Sequence, residues 1–185
     1  MNTEAASDLR GRVILITGAG DGLGAALARA ASAAGAEVIL LGRTVRKLEA
    51  VYDAIVGAGG PEPAILPLDL EGAGPDDYAA VAGHIESACG RLDGLVHAAA
   101  MLGAQTPLEH YPPLEWARVL QVNLTGPLLL TQACIPLLRQ GREPAIVFID
   151  DERRGAYWGA YGVSKSAVAA MADMLGDELD GRGGI

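Results

Sequence analysis

Hydrophobic positions in this chain gather in short, nearly unbroken runs: Arg12–Thr17, Glu37–Leu41, Ala64–Leu68, Leu92–Ala98 and Ala145–Ile149. The stretches between them carry apolar residues at helical spacing, over roughly 22–34, 44–57, 75–90, 114–139 and 157–180. Apolar strands alternating with helices predict an α/β protein whose parallel sheet is covered on both faces. Right-handed crossovers make the sheet doubly wound, with strand order 3-2-1-4-5. No linker, repeat or low-complexity segment interrupts the alternation, so residues 1–185 are expected to form one domain, with 1–10 disordered.

The first run leads into Thr17-Gly18-Ala19-Gly20-Asp21-Gly22-Leu23-Gly24 and then an Ala-rich helix. A helix N-terminus presents unpaired N–H groups and the positive end of the helix dipole. Glycines there keep side chains out of the way of a diphosphate. Gly18, Gly20, Asp21, Gly22, Leu23 and Gly24 are therefore assigned to cofactor binding. Asp69 and Leu70, after the third strand, and Ala98 and Ala99, after the fourth, fall at the same carboxyl edge and join them. Asp69 has two readings, a hydrogen bond to an adenine amino group or a cap on the turn at Leu70-Glu71-Gly72. About 20 residues past the glycines, where NAD binding asks for an acidic residue on the ribose diol, stands Arg43, followed by Arg46 and Lys47. A guanidinium pairs well with phosphate. The expected cofactor is NADP(H) in preference to NAD(H).

Composition narrows the partners. A formal charge of -9 argues against binding nucleic acid or an anionic membrane surface. Cys89 and Cys134 have neither metal-ligand spacing nor a disulfide framework, and no metal site is expected. The N-terminal residues lack the apolar core of a secretory signal, and no run has the length of a membrane span. The expected location is the cytoplasm.

Tyr161 and Lys165 stand four residues apart at the start of the last helix, on one face. An ammonium beside a phenol is expected to draw the phenol pKa down from about 10. Such a tyrosine can give a proton to a carbonyl oxygen or take one from an alcohol. Upstream, Pro127 has no N–H, so the carbonyl of Asn123 loses its helical partner and can anchor a water leading toward Lys165.

The glycine stretch, Leu41-Gly42-Arg43, Leu68-Asp69-Leu70, Gln121-Val122-Asn123 and Tyr161-Gly162-Val163-Ser164-Lys165 together resemble the short-chain dehydrogenase/reductases. The match runs from about Gly11 to Leu179. The resemblance implies a Rossmann fold and an oxidoreductase that moves hydride between a nicotinamide cofactor and a small carbonyl or alcohol substrate. It makes Tyr161 the proton donor and acceptor, gives Lys165 a second role on the nicotinamide ribose, and makes Asn123 the relay asparagine. It also implies a homo-oligomer packed through the helices around Asn123 and Ser164.

Three departures support an alternative, a non-catalytic nucleotide-binding protein or scaffold. The family's serine after the fifth strand is absent: Ile149-Asp150-Asp151-Glu152 stands there, and no Ser or Thr occurs from Ala145 to Ala160. An ionised carboxylate only accepts hydrogen bonds, and losing one donor to a transition state costs about 10²–10³ in rate. Ala98-Ala99-Ala100 replaces the family's Asn-Ala-Gly, and His97 is expected to be a hydrogen-bonded strand-end residue. The family's sixth and seventh strands are missing, which leaves the fifth run as an apolar edge expected to self-associate.

Overall fold

In the computed structural model, which describes residues 8–180, five strands pair in parallel. They are β1 (Val13–Thr17), β2 (Glu37–Gly42), β3 (Ala64–Pro67), β4 (Gly94–His97) and β5 (Ala145–Phe148). Their order is β3-β2-β1-β4-β5, as the crossover rule predicts. The helices are α1 (Gly22–Ala33), α2 (Val45–Gly57), α3 (Pro75–Cys89), α4 (Pro113–Leu120), α5 (Gly126–Leu138) and α6 (Gly159–Asp180).

Alternation along the strands divides the core into two layers. Val13, Leu15, Ile39, Leu41 and Leu95 pack against Tyr78 and Ile85 of α3 and Leu130 and Cys134 of α5. Ile16, Val38 and Leu40 pack against Ala25 and Ala28 of α1 and Leu48, Val51 and Ile55 of α2. The register of β4 is pinned by buried Asp93, whose carboxylate accepts from the N–H groups of Val13 at 2.8 Å and Arg142 at 2.5 Å.

The single helix expected over 114–139 is two helices joined by a π-helical turn, Gln121–Thr125. Pro127 cannot supply an N–H to the Asn123 carbonyl, and the ladder widens by one residue just before it. Gly126 donates to Gln121, five residues back. The last helix starts at Gly159 and not at 157, because Tyr157 takes φ of +70°, outside the right-handed helical region. Of the segment expected to be disordered, 1–7 lie outside the described residues. Within 8–10, Leu9 donates its N–H to Ala34 at 2.9 Å and packs beside the α1–α2 core. No helix among the described residues is long and apolar enough to cross a membrane.

Candidate functional site

The carboxyl ends of β1, β2, β3 and β4 open into a cleft of about 620 Å³, within the usual size of ligand pockets. Its wall contains Gly18, Gly20, Asp21, Gly22, Leu23 and Gly24, Arg43, Asp69 and Leu70, and Ala98 and Ala99, the residues expected there from sequence. Two of the glycines are required by geometry. Gly18 has φ +66°, and a Cβ on it would lie 2.8 Å from the Cα of Ala99. A Cβ on Gly24 would lie 2.3 Å from the Gly18 carbonyl oxygen. The helix can fold back on the turn only without that atom. A Cβ on Gly22 would meet nothing within 4 Å, which leaves open space beside the first turn of α1. This open, glycine-walled helix start fits a dinucleotide diphosphate.

Asp21 caps α1 by accepting from the Gly22 N–H at 2.7 Å, and pairs with Lys47 at 2.6 Å. Lys47 is thus tied across the cleft mouth, whereas Arg43 forms no ion pair among the described residues. Asp69 uses one carboxylate oxygen on the Glu71 N–H at 3.2 Å, the turn-capping alternative. Its neighbour Glu71 holds Arg118 of α4 through both carboxylate oxygens, at 2.6 and 3.1 Å.

Thr17, unassigned from the sequence, joins β1 to β4. Its hydroxyl oxygen accepts from the N–H groups of Ala98 and Ala99, both at 3.1 Å. The backbone after β4 is therefore held although Ala98 has no polar side chain. The signal was a polar β-branched residue closing an otherwise apolar strand. His97 is half satisfied: Nε2 pairs with the Thr131 hydroxyl at 2.9 Å, while Nδ1 has no partner among the described residues. Burial, with its ring stacked on Phe148, pushes its pKa down to about 3.

Asn123 is buried at the π turn and holds both polar groups of the Met101 backbone: Oδ1 accepts from its N–H at 2.7 Å and Nδ2 donates to its carbonyl at 2.9 Å. Nδ2 also donates to Ser164 at 3.0 Å, and Ser164 in turn donates to the Tyr161 carbonyl at 2.7 Å. Met101 lines the cleft. A continuous hydrogen-bonded path thus fixes the start of α6 relative to the cleft wall. Tyr161 and Lys165 do share a helix face, with Lys165 Nζ 5.6 Å from the phenol ring centroid.

The expected activation of the phenol is reversed. Tyr161 donates its hydroxyl hydrogen to Asp151 at 2.8 Å, and Lys165 gives a 2.6 Å hydrogen bond to the Ile149 carbonyl. Burial first, and the Asp151 carboxylate second, push the Tyr161 pKa up to about 12. Burial also lowers the Lys165 pKa. Asp151 itself is held below the ordinary carboxylate range, chiefly by the hydrogen bond from Tyr161. Asp150 is held down by its ion pair with Arg154. Helix spacing showed the lysine, and the carboxylates at the family's serine position were legible too; which of them reaches the phenol from the loop after β5 was not.

A doubly wound parallel sheet with a glycine turn at its switch point defines a nucleotide-binding α/β protein. The model of the short chain dehydrogenase family matches residues 12–185. The chain is 39% identical over 177 residues to the uncharacterised oxidoreductase YciK of Escherichia coli K12, covering 94% of this chain and 70% of that protein. A structure from Pseudomonas syringae assigned to the short chain dehydrogenases superposes with a TM-score of 0.93 at 44% identity, over 97% of this chain and 75% of that one. One from Escherichia coli CFT073, complexed with NADPH, gives 0.92 at 38% identity, over 96% and 75%. The chain belongs to the short-chain dehydrogenase/reductase family.

Proposed function

We propose that the protein is an NADP(H)-dependent oxidoreductase acting on a small carbonyl or alcohol substrate. The observation that carries this reading is the cleft, lined by the Gly18–Gly24 turn and by Arg43, which forms no ion pair among the described residues. The turn and the α1 N-terminus would hold the diphosphate, and Arg43 a ribose phosphate. Asp69, Leu70, Ala98 and Ala99 would border the rest of the cofactor. When bound, that cofactor supplies the hydride. Structural relatives complexed with NADP and with NADPH support the choice.

Tyr161 is the proposed acid/base, since its hydroxyl is the one poised at the start of α6. Lys165 is its proposed electrostatic partner. Asn123 positions α6 through Ser164, and its carbonyl, without an N–H from Pro127, is the proposed anchor of a proton-relay water. A homo-oligomer in the cytoplasm completes the reading; both cysteines are free, in keeping with a reducing compartment. Titration of the protein with NADPH and NADH, followed by tryptophan fluorescence, tests it. Tighter binding of NADPH, weakened by Arg43→Ala, is the expected result. Absence of any response to either dinucleotide overturns it.

A second reading, a nucleotide-binding protein without turnover, is favoured by one observation: the proposed acid is already hydrogen-bonded to Asp151. NADPH binding without oxidation by any ketone, aldehyde or imine would establish that reading instead.

A further inference from the structure

The Tyr161 hydroxyl meets an acceptor, where carbonyl reduction asks for donors. Its hydrogen lies on Asp151, and no Ser or Thr from Ala145 to Ala160 offers a second donor. If Tyr161 passes its proton to a carbonyl oxygen, a phenolate is left at hydrogen-bond distance from a carboxylate, with no proton between them. Lys165 is engaged by the Ile149 carbonyl, and Arg154 by Asp150. Among the described residues, only Arg153 shares Asp151 with Tyr161, through its N–H at 3.0 Å and its guanidinium at 3.3 Å. A carboxylate has about four lone-pair sites. The Tyr161 hydroxyl and the Arg153 guanidinium share Oδ2 and the Arg153 N–H takes Oδ1, so among the described residues one acceptor position remains, on Oδ1.

We propose that this site takes a protonated imine, C=N–H⁺, in preference to the neutral ketone of the same shape, with Asp151 accepting from the iminium N–H. The assignment rests on the cleft being the nicotinamide site, and it puts a C=N substrate in place of the carbonyl there, for which Tyr161 is a positioning residue and not the proton donor. The carboxylate raises the basicity of a bound imine and so populates its electrophilic, protonated form. Addition of hydride then forms one C–H bond at the iminium carbon, and the C=N π pair becomes the lone pair of a neutral amine. The dinucleotide is the two-electron reductant. No proton leaves Tyr161, which keeps its bond to Asp151 and escapes the paired-anion penalty. The high phenol pKa, a handicap for donating a proton, is no handicap here.

Two readouts test this on the full chain. In the first, pyrrolidinium and cyclopentanol are titrated against protein labelled with ¹³C-tyrosine, in the wild type, Asp151→Asn and Asp151→Ser. The expected result is a shift of the Tyr161 resonance and about tenfold tighter binding of the cation in the wild type, lost in both variants. Glu152→Gln, an exposed neighbouring carboxylate, is expected to leave the preference unchanged. In the second, NADPH oxidation is followed with 1-pyrroline and with cyclopentanone. The wild type is expected to favour the imine in kcat/KM, and Asp151→Ser to move the ratio about tenfold toward the ketone, as a restored hydroxyl donor would. Equal binding of cation and alcohol, or a preference that survives both Asp151 substitutions while NADPH still binds, overturns the inference alone. Failure of NADPH to bind overturns the cofactor reading, and the cation titration still decides whether Asp151 selects charge.

Discussion

Tyr161 meets a carboxylate and not the expected lysine, while His97 is the hydrogen-bonded strand-end residue expected, and burial moves the pKa of both. For Tyr161 the folded pKa lies above the unfolded value of about 10, so its stabilising contribution is full below pH 10 and is lost as pH rises toward about 12. Replacing Asp151 by Asn should lower the phenol pKa, seen as an earlier tyrosinate signal in a ¹³C-NMR pH titration. An unchanged titration would mean that burial alone holds the proton. For His97 the sign is opposite. Its folded pKa of about 3 lies below the unfolded value of 6.5, so its contribution is present above pH 6.5 and is lost as pH falls toward 3. Urea midpoints measured from pH 7 to 5 should therefore decline, by at most about 1.4 kcal/mol per pH unit from this residue. His97→Phe should flatten that slope.

At the scale of elements, the β1–α1 turn and the π turn do the positioning. Gly24→Ala sets a Cβ against the Gly18 carbonyl and should cost about 1–3 kcal/mol of stability while abolishing dinucleotide binding. Gly22→Ala meets only open space, but φ there is +49°, so about 1 kcal/mol is expected from strain. Thermal melts with and without NADPH separate the two variants. Asn123→Ala removes three side-chain hydrogen bonds and leaves the buried Ser164 hydroxyl with one partner fewer. A loss of about 1–3 kcal/mol is expected, with weaker NADPH binding because Met101 and α6 are no longer joined. These elements differ in how far the chain announces them. The glycine turn was legible because a particular backbone shape admits only one residue type. The π turn was half legible: Pro127 showed that the ladder must fail, but not that it fails by widening.

For the whole molecule, β5 pairs among the described residues with β4 alone and leaves an edge, and Val147 on it is 44% exposed. Unpaired apolar edges recruit other chains. Sedimentation at rising concentration should show self-association of this chain, reduced by Val147→Lys. A monodisperse monomer at high concentration would contradict this. The strand order, the two-layer core and the cleft wall were determined by the sequence alone, because period-2 and helical patterning, crossover handedness and glycine sterics are local or topological constraints. The electrostatics of the reacting end were decided only by tertiary structure. Lys165 is four residues from Tyr161 along one helix, whereas Asp151 reaches the phenol from a loop and Lys165 turns to the Ile149 carbonyl. Which partner a buried phenol meets depends on where that loop settles against α6, and no periodicity in the chain encodes that distance.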